Sequence, residues 1–152
     1  MRIALYQPDI AGNVGTLLRL GACMGVAVDL IEPMGFAWSE RALARAGMDY
    51  AGRVEVTRHA DWDAFVAASR GRIVLGTTTG AIPLPAARFA ADDVLLLGSE
   101  GAGVPDHVHA RADLRVRVPM RSGLRSLNVA VAGAMMLGEA LRQTGGWDDL
   151  TD

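Results

Sequence analysis

Short apolar runs recur along the whole chain, and polar or glycine-containing segments separate them. Most of these runs are almost continuously apolar, which is typical of strands in a sheet that is covered on both faces. Helices provide such a cover when the strands are parallel, so we predict a mostly parallel sheet. The predicted strands span residues 2–7, 26–31, 54–58, 72–78, 93–98 and 114–118.

The segments between these strands carry helical periodicity. Asp61 precedes one apolar-periodic run, as an N-cap does, and Gly145-Gly146 ends the last one. The predicted helices span about residues 13–24, 39–47, 61–69, 104–110 and 126–143.

This alternation of strands and helices predicts one α/β domain over residues 1–152, with a mostly parallel sheet flanked by helices. In open sheets of this class, ligands bind beyond the carboxyl ends of the strands. We therefore expect the functional site in the loops that follow residues 6, 78, 98 and 118.

The charge balance makes any nucleic-acid partner depend on a local basic patch. The 152 residues carry a formal net charge of −2, so bulk attraction does not hold an acidic partner such as RNA. All fifteen basic residues are arginine, whose planar guanidinium binds phosphate well. The most basic segment runs from His107 to Gly138, where five arginines accompany a single acid, Asp113. This segment is the predicted patch.

The single cysteine and the short apolar runs predict a soluble, cytoplasmic protein. Because Cys23 is the one cysteine in the sequence, an intramolecular disulfide and a multi-cysteine metal site are both excluded. The apolar neighbours of Cys23 predict that its thiol is buried. The longest late apolar run, residues 127–138, is well short of the roughly 20 residues that span a bilayer. His107 and His109 have no third ligand nearby, so we interpret them as surface histidines and predict no metal.

Residues 13–19, N-V-G-T-L-L-R, join an asparagine and an arginine at the start of the first predicted helix. Asn13 stands where an N-cap does, and Arg19 follows nearly two turns later. Leucines surround Arg19, and a guanidinium in so apolar a helix needs a partner or a ligand. From these residues alone, two interpretations are equally good. In one, Arg19 binds a partner or a ligand. In the other, Asn13 is only a helix cap and Arg19 is only a solvated side chain.

Residues 95–105, L-L-L-G-S-E-G-A-G-V-P, end a buried strand in a glycine-rich turn with one carboxylate, Glu100. Glycines let a ligand approach the main chain, whose amides and carbonyls bind a base or a carboxylate. The spacing is neither G-x-G-x-x-G nor G-x-x-x-x-G-K-[ST], which disfavours dinucleotide and triphosphate sites. A tight turn with Glu100 as a cap or ion-pair partner is an equally good interpretation.

Residues 117–143 contain a proline, a basic loop and the start of a long helix. Arg121 and Arg125 lie in the predicted loop, and Ser126 and Asn128 then open the helix. A helix N-terminus framed by serine, asparagine and arginine suits an anion. The alternative is a capped core helix beside a solvated loop.

Two further segments, E-P-M-G-F-A-W at 32–38 and R-A-G-M-D-Y at 45–50, combine aromatic residues with arginines. Phe36 and Trp38 suit stacking on bases, with Arg41 and Arg45 near phosphate. Packing in the core or against a second copy is the simpler explanation, and from the residues alone we slightly prefer it.

Three motifs occur in a characteristic order: N-x-G-x-x-x-R, then L-x-x-G-x-E-x-x-G, then V-P-M followed by S-L-N. Together they cover nearly the whole chain and resemble the SPOUT class of RNA 2'-O-ribose methyltransferases. The segments EPMGFAW, RAGMDY and TRH further resemble the minimal branch that methylates the ribose of the tRNA wobble nucleotide, cytidine or modified uridine 34. Two departures lean toward relatives that modify ribosomal RNA. Ser99 replaces the usual proline of that branch, and S-L-N-V-A-V replaces S-M-N-L-S-N.

The resemblance implies S-adenosylmethionine as the methyl donor, tRNA as the substrate, a homodimer and a C-terminal trefoil knot. It assigns the donor to three loops and the RNA to arginines. The implied cofactor-binding residues are Gly76, Thr77, Gly98, Gly101, Val118, Ser126 and Leu127, and the implied RNA-binding residues are Arg41, Arg45, Arg121 and Arg125.

The same resemblance assigns catalysis to Arg19, with Asn13, Glu100, Ser126 and Asn128 positioning it and the ribose. A guanidinium with a pKa above about 12 is a poor general base at neutral pH. We therefore expect Arg19 to bind a phosphate and stabilise the developing alkoxide, while the proton leaves through water or a transiently neutral Arg19.

Two other functions explain part of the pattern. One is the 2'-O-methylation of ribosomal RNA by the same chemistry. The other is a non-enzymatic, flavodoxin-like nucleotide-binding module, which explains the alternation of elements. That module does not explain why Arg19, Glu100 and the Ser126–Asn128 pair occur together in this order.

Overall fold

The computed structural model describes residues 1–39 and 51–150, which form a parallel sheet between two layers of helices. The strand order is β3-β2-β1-β6-β4-β7-β5, and every neighbouring pair is parallel. This confirms the predicted mostly parallel α/β sheet. The strands are β1 (Arg2–Tyr6), β2 (Ala27–Ile31), β3 (Val56–His59), β4 (Ile73–Gly76), β5 (Ile82–Pro83), β6 (Val94–Leu97) and β7 (Leu114–Arg117).

The predicted strands all occur, with ends that differ by one or two residues, and the two-residue β5 was not predicted. The predicted helix over 39–47 lies, apart from Ser39, outside the described residues. The helices are α1 (Ala11–Met24), α2 (Trp62–Ala68), α3 (Asp106–Arg111) and α4 (Val129–Thr144), with short 3-10 turns at Ala51–Arg53 and Leu84–Ala86.

Each face of the sheet has its own apolar core. Ile3 and Leu5 of β1 pack in a core that includes residues of α1 and α4. Ala4 and Tyr6 of the same strand point to the other face, where Phe65 of α2 and Val108 of α3 cover them. This alternation follows from the two-residue period of a strand. It explains why the strands are apolar at nearly every position.

The ends of the helices test the capping predictions. Asp61 Oδ1 accepts the backbone N–H of Ala64 at 2.8 Å, and Gly145 ends α4 in a left-handed conformation, so both predictions are confirmed. The prediction that Asn13 caps α1 is wrong, because α1 begins two residues earlier, at Ala11. The prediction that α4 opens at Ser126 is also wrong: Asn128 is the N-cap, and the helix begins at Val129.

The predicted buried position of Cys23 is wrong, since its side chain is exposed. Arg19 and Thr16 precede Cys23 by four and seven residues, so the three side chains share one face of α1. That face is exposed at all three positions, whereas Leu17 and Leu18 are buried on the opposite side. The apolar neighbours of Cys23 in sequence therefore do not surround it in space.

Two carboxylates buried beneath the sheet are satisfied within the protein. Asp29 is 2.7 Å from the Nε of Arg2 and 2.8 Å from the Nε2 of His59. Asp93 pairs with Arg72 at 2.9 Å, and this bond raises the pKa of the Arg72 guanidinium above its ordinary value. Buried charges need such partners.

Candidate functional site

A cavity of about 950 Å³ opens at the carboxyl ends of β4, β6 and β7, where the sequence predicted the site. Its volume is within the range of small-molecule sites. The loops that follow these three strands form most of its wall. The predicted site residues that line it are Asn13, Gly76, Thr77, Gly98, Glu100, Gly101, Val118, Ser126, Leu127 and Asn128. Their roles stay predictions.

The turn from Ser99 to Gly103 forms the wall beyond β6. The backbone N–H of Ser99 donates to the carbonyl of Gly103, and the N–H of Gly103 donates to the carbonyl of Ser99, both at 3.0 Å. A Cβ at Gly98 would lie 2.7 Å from the carbonyl carbon of Gly103, so only glycine fits there. The closed turn exposes the backbone of Glu100 and Gly101 beside the cavity.

Glu100 is held by hydrogen bonds to both of its carboxylate oxygens. Oε2 accepts the backbone N–H of Asp9 at 2.7 Å, and Oε1 accepts the Nδ2 of Asn13 at 2.9 Å. The side chain therefore joins the turn after β6 to the loop after β1 and to the first turn of α1. These bonds order the Glu100 side chain within a tight turn, and its catalytic role stays a prediction. The glutamate is fixed beside the cavity.

The amide network continues from Asn13 to the start of α4. Asn128 Nδ2 donates to the Oδ1 of Asn13 at 2.9 Å. The Oδ1 of Asn128 accepts the backbone N–H groups of Ala130 and Val131 at 2.9 and 3.2 Å. One side chain thus caps a helix and orients Asn13. Three predicted catalytic residues, far apart in sequence, form one connected set.

Apolar and polar side chains both line the cavity. The apolar lining includes Leu97, Val116 and Met136. Asp106 and His109 of α3 and Arg115 of β7 add ionisable groups to the lining. None of these three was predicted as a site residue, because they belong to none of the ordered motifs, and His109 was interpreted as a surface histidine.

Arg19 lies apart from this set within its own chain. It is exposed on the outer face of α1 and does not line the cavity. Asn13 and Arg19 are six residues apart, which separates their side chains by about 120° around the helix axis. Because Asn13 faces the cavity, Arg19 faces another direction.

The predicted RNA-binding arginines divide into two groups. Arg121 and Arg125 are exposed in the loop between β7 and α4, close in sequence to the cavity-lining residues Met120 and Ser126. Arg41 and Arg45 lie outside the described residues. Arg121 and Arg125 thus carry positive charge on an exposed loop that also contributes Met120 and Ser126 to the cavity lining.

Phe36 and Trp38 are half-buried and pack against the core on the α1 and α4 side. The guanidinium of Arg58 lies 5.3 Å from the ring centroid of Trp38, and Arg58 also pairs with Glu32 at 2.7 Å. These contacts favour the packing interpretation of the two aromatic residues over the base-stacking one.

The described residues offer neither a metal-binding cluster nor a membrane-spanning helix. Residues 1–39 and 51–150 contain no group of three or more metal-ligating acidic, histidine or cysteine side chains. Within the same ranges, no helix is both long and apolar enough to cross a membrane.

Comparison with known proteins agrees with this geometry. Residues 1–138 match the model of the SpoU rRNA Methylase family. A tRNA (cytidine(34)-2'-O)-methyltransferase from Ancylobacter novellus is 51% identical over 150 residues, which are 97% of this chain and 95% of that relative. A solved structure concerned with 2-OH methylation of C/U34 on tRNA has a TM-score of 0.89 and 39% identity, and the match covers 93% of this chain and 94% of the other.

A third similar protein is larger. The AdoMet-bound rRNA methyltransferase from Sinorhizobium meliloti has a TM-score of 0.83 and 27% identity, over 93% of this chain and 55% of that longer one. The order of motifs, the parallel sheet and these matches agree, and the chain belongs to the SpoU rRNA methylase family.

Proposed function

We propose that this protein transfers a methyl group from S-adenosylmethionine to the ribose 2'-hydroxyl of nucleotide 34, the wobble position, of tRNA. The observation that carries the proposal is the ordered set of Asn13, Glu100 and Asn128 beside a cavity bounded by a glycine turn. The relatives that share almost the full chain carry names for this activity. A C-terminal trefoil knot is part of the same expectation.

The cavity fits the proposed methyl donor. Closed glycine turns expose backbone amides and carbonyls, which suit an adenine and a ribose. The ionisable side chains of Asp106, His109 and Arg115 in the lining suit the zwitterionic amino-acid end of the donor. When bound, S-adenosylmethionine supplies an electrophilic methyl on a sulfonium, so the reaction needs a nearby 2'-oxygen and a route for its proton.

Within this proposal, Glu100 orders the site and does not take the proton. Both of its carboxylate oxygens already accept hydrogen bonds, from Asp9 and Asn13. Asn13 and Asn128 hold the turn after β6 beside the start of α4. The side chains keep the two walls of the cavity at a fixed separation, and such fixed geometry lowers the cost of reaching the transition state.

Arg19 supplies the positive charge, and we propose that it acts at the cavity of a second copy. Its own cavity lies on another side of α1, as the position of Asn13 shows. A guanidinium from a partner subunit would bind the RNA phosphate and stabilise the developing alkoxide. One well-placed donor of this kind is worth roughly 3 kcal/mol of transition-state stabilisation.

The surface around Arg19 suits contact with a second copy. Val131 and Met135 of α4 are 49% and 45% exposed, although both are large and apolar. Helix α1 packs beside α4, since a Cβ at Gly133 would lie 3.0 Å from the Cδ2 of Leu17. We propose that the exposed sides of these two neighbouring helices form one surface, which we name the α1/α4 outer face. Burial of its apolar part favours a homodimer.

We assign RNA binding to four arginines. Arg121 and Arg125 extend from the exposed loop after β7, and Arg41 and Arg45 are given the same role from the resemblance alone. Two copies would bring together more of these arginines than one copy offers, which would strengthen binding to the phosphates of RNA. Because tRNA is the proposed substrate, we also propose a cytoplasmic location.

Methyl transfer to tRNA isolated from a strain that lacks this protein tests the proposal. The purified protein, tritiated S-adenosylmethionine and this tRNA are incubated, and 2'-O-methylation is mapped by resistance to alkaline cleavage. Label at nucleotide 34 is the expected result. A parallel reaction contains ribosomal RNA from the same strain, and label only in that reaction would overturn the tRNA target while the chemistry stands. Calorimetry with S-adenosylhomocysteine separates both outcomes from the flavodoxin-like module, which should not bind it.

A further inference from the structure

Asp9 and the glycine turn exchange hydrogen bonds in both directions. The backbone N–H of Asp9 donates to Glu100 Oε2 at 2.7 Å, and the N–H of Gly101 donates to the Asp9 carboxylate oxygen Oδ2 at 3.1 Å. Two hydrogen bonds therefore join the loop after β1 to the turn after β6. The bonded residues are 91 and 92 positions apart in the sequence. We propose that Asp9 is a positioning residue that sets the conformation of the cofactor turn. This inference rests on the proposed function.

The two bonds fix different parts of the turn. The bond to Gly101 orients a peptide group of the turn itself, and Gly101 lines the cavity. The bond from the Asp9 N–H fixes the side chain of Glu100, which also holds Asn13. Hydrogen bonds to a carboxylate are stronger than those between neutral groups. Asp9 itself does not line the cavity, so its effect on a ligand passes through the turn.

Gly35 supports Asp9 from the other side. Its backbone N–H donates to the carbonyl of Pro8 at 2.9 Å. A Cβ at position 35 would lie 2.9 Å from the Cα of Asp9 and 3.0 Å from its Oδ1. Such distances leave no room for a side chain beside the Asp9 backbone. Gly35, the glycine of E-P-M-G-F, thus allows the chain after β2 to pack directly against the backbone of Asp9. The segment therefore has a role in the site, because it helps to hold Asp9 beside the turn.

Paired aspartate variants test the inference. Asp9→Ala removes the acceptor for Gly101, whereas Asp9→Asn keeps an acceptor oxygen without the charge. Asp61→Ala is the matched control, because it removes the same kind of bond, a side-chain oxygen to a backbone N–H at 2.8 Å, far from the cavity. The measurements are the Kd for S-adenosylhomocysteine by calorimetry, the methyl-transfer rate and the thermal midpoint.

We expect Asp9→Ala to weaken S-adenosylhomocysteine binding about tenfold, which is the typical effect of one lost charge-assisted hydrogen bond. Asp9→Asn should restore most of the affinity, and Asp61→Ala should lower the thermal midpoint without changing the Kd. Gly35→Ala should weaken binding as Asp9→Ala does, while Gly52→Ala, whose Cβ position has no atom of residues 1–39 or 51–150 within 4 Å, should not.

The outcomes separate this inference from the proposed function. A wild-type protein that fails to bind S-adenosylhomocysteine overturns the proposed function. A wild-type protein that binds it, together with an Asp9→Ala variant of equal affinity, overturns only the role of Asp9. Loss of affinity in Asp61→Ala equal to that in Asp9→Ala would also overturn it, because general destabilisation would then explain both. An Asp9→Asn variant as weak as Asp9→Ala would overturn the hydrogen-bond mechanism.

Discussion

The side-chain amide of Asn128 donates a hydrogen bond of 2.9 Å to the Oδ1 of Asn13, across 115 residues of sequence. The same asparagine caps α4 through its own Oδ1. One residue therefore performs a local task, starting a helix, and a long-range task, fixing Asn13 against Glu100. The two tasks use different atoms, so substitutions can separate them.

Asn128→Ala and Asn128→Asp should affect stability and activity differently. Alanine removes the cap and the bond to Asn13, so we expect a loss of about 1 kcal/mol in unfolding free energy together with reduced methyl transfer. Aspartate is an equally good N-cap but has no N–H to donate to Asn13, so stability should be kept while transfer falls. Urea unfolding and the transfer assay measure the two effects. Wild-type activity in Asn128→Asp would contradict the role of the Asn128–Asn13 bond.

Gly98→Ala should disrupt the cofactor turn. The added methyl would lie 2.7 Å from the backbone of Gly103, which cannot yield without moving the turn. We expect the affinity for S-adenosylhomocysteine to fall by about tenfold or more, measured by calorimetry. Gly52→Ala is the control, because no atom of the described residues lies within 4 Å of the new Cβ. Equal affinity in the two variants would show that the turn does not contact the ligand.

Arg19→Ala should abolish methyl transfer and leave the Kd for S-adenosylhomocysteine unchanged, because Arg19 does not line the cavity of its own chain. If Arg19 acts across a subunit boundary, co-expression with Gly98→Val should restore activity. A mixed dimer contains one intact cavity facing one intact Arg19, so random pairing recovers about a quarter of wild-type activity. Arginine acting within its own chain would give no recovery.

Met135→Glu should separate the proposed dimer. Met135 is 45% exposed on the α1/α4 outer face, and a carboxylate there would be buried without a partner upon association. We expect a monomer by sedimentation and a loss of methyl transfer. Ile82→Glu alters a residue of similar exposure, 40%, outside this face and should remain dimeric and active. A dimeric Met135→Glu variant would exclude this face as the interface.

Glu139 makes a pH-dependent contribution to stability. Hydrogen bonds from Arg142 and Gln143 lower its pKa from 4.5 to about 2. A lowered carboxyl pKa stabilises the folded state above the unfolded pKa, and this contribution disappears as the pH falls through the folded value. The difference in thermal midpoint between wild type and Glu139→Gln should therefore be constant above about pH 5 and vanish near pH 2. If the thermal midpoints of wild type and Glu139→Gln still differed below about pH 2, the lowered pKa of Glu139 would not be the cause of the difference.

The sequence by itself determined the elements and much of the site. Apolar runs and helical periodicity identified the strands that form the parallel sheet, because burial on both faces leaves a direct mark on composition. The position of the cavity followed from the rule that ligands bind beyond the carboxyl ends of parallel strands. The resemblance to a known family, carried by the three ordered motifs, then named residues that line it. Asp61 and Gly145 were predicted for a local reason, because the ends of helices favour capping residues.

Only the tertiary structure decided what distant residues do together. Asn13 was predicted as a cap from its position, but its amide is used across space by Glu100 and Asn128. Cys23 and Arg19 have apolar neighbours in sequence, yet the helix turns both outward. Asp9 has no local signature, since its role arises from a peptide group 92 residues away. Local chemistry encodes the elements, whereas contacts between segments exist only after the sheet has brought their ends to one edge.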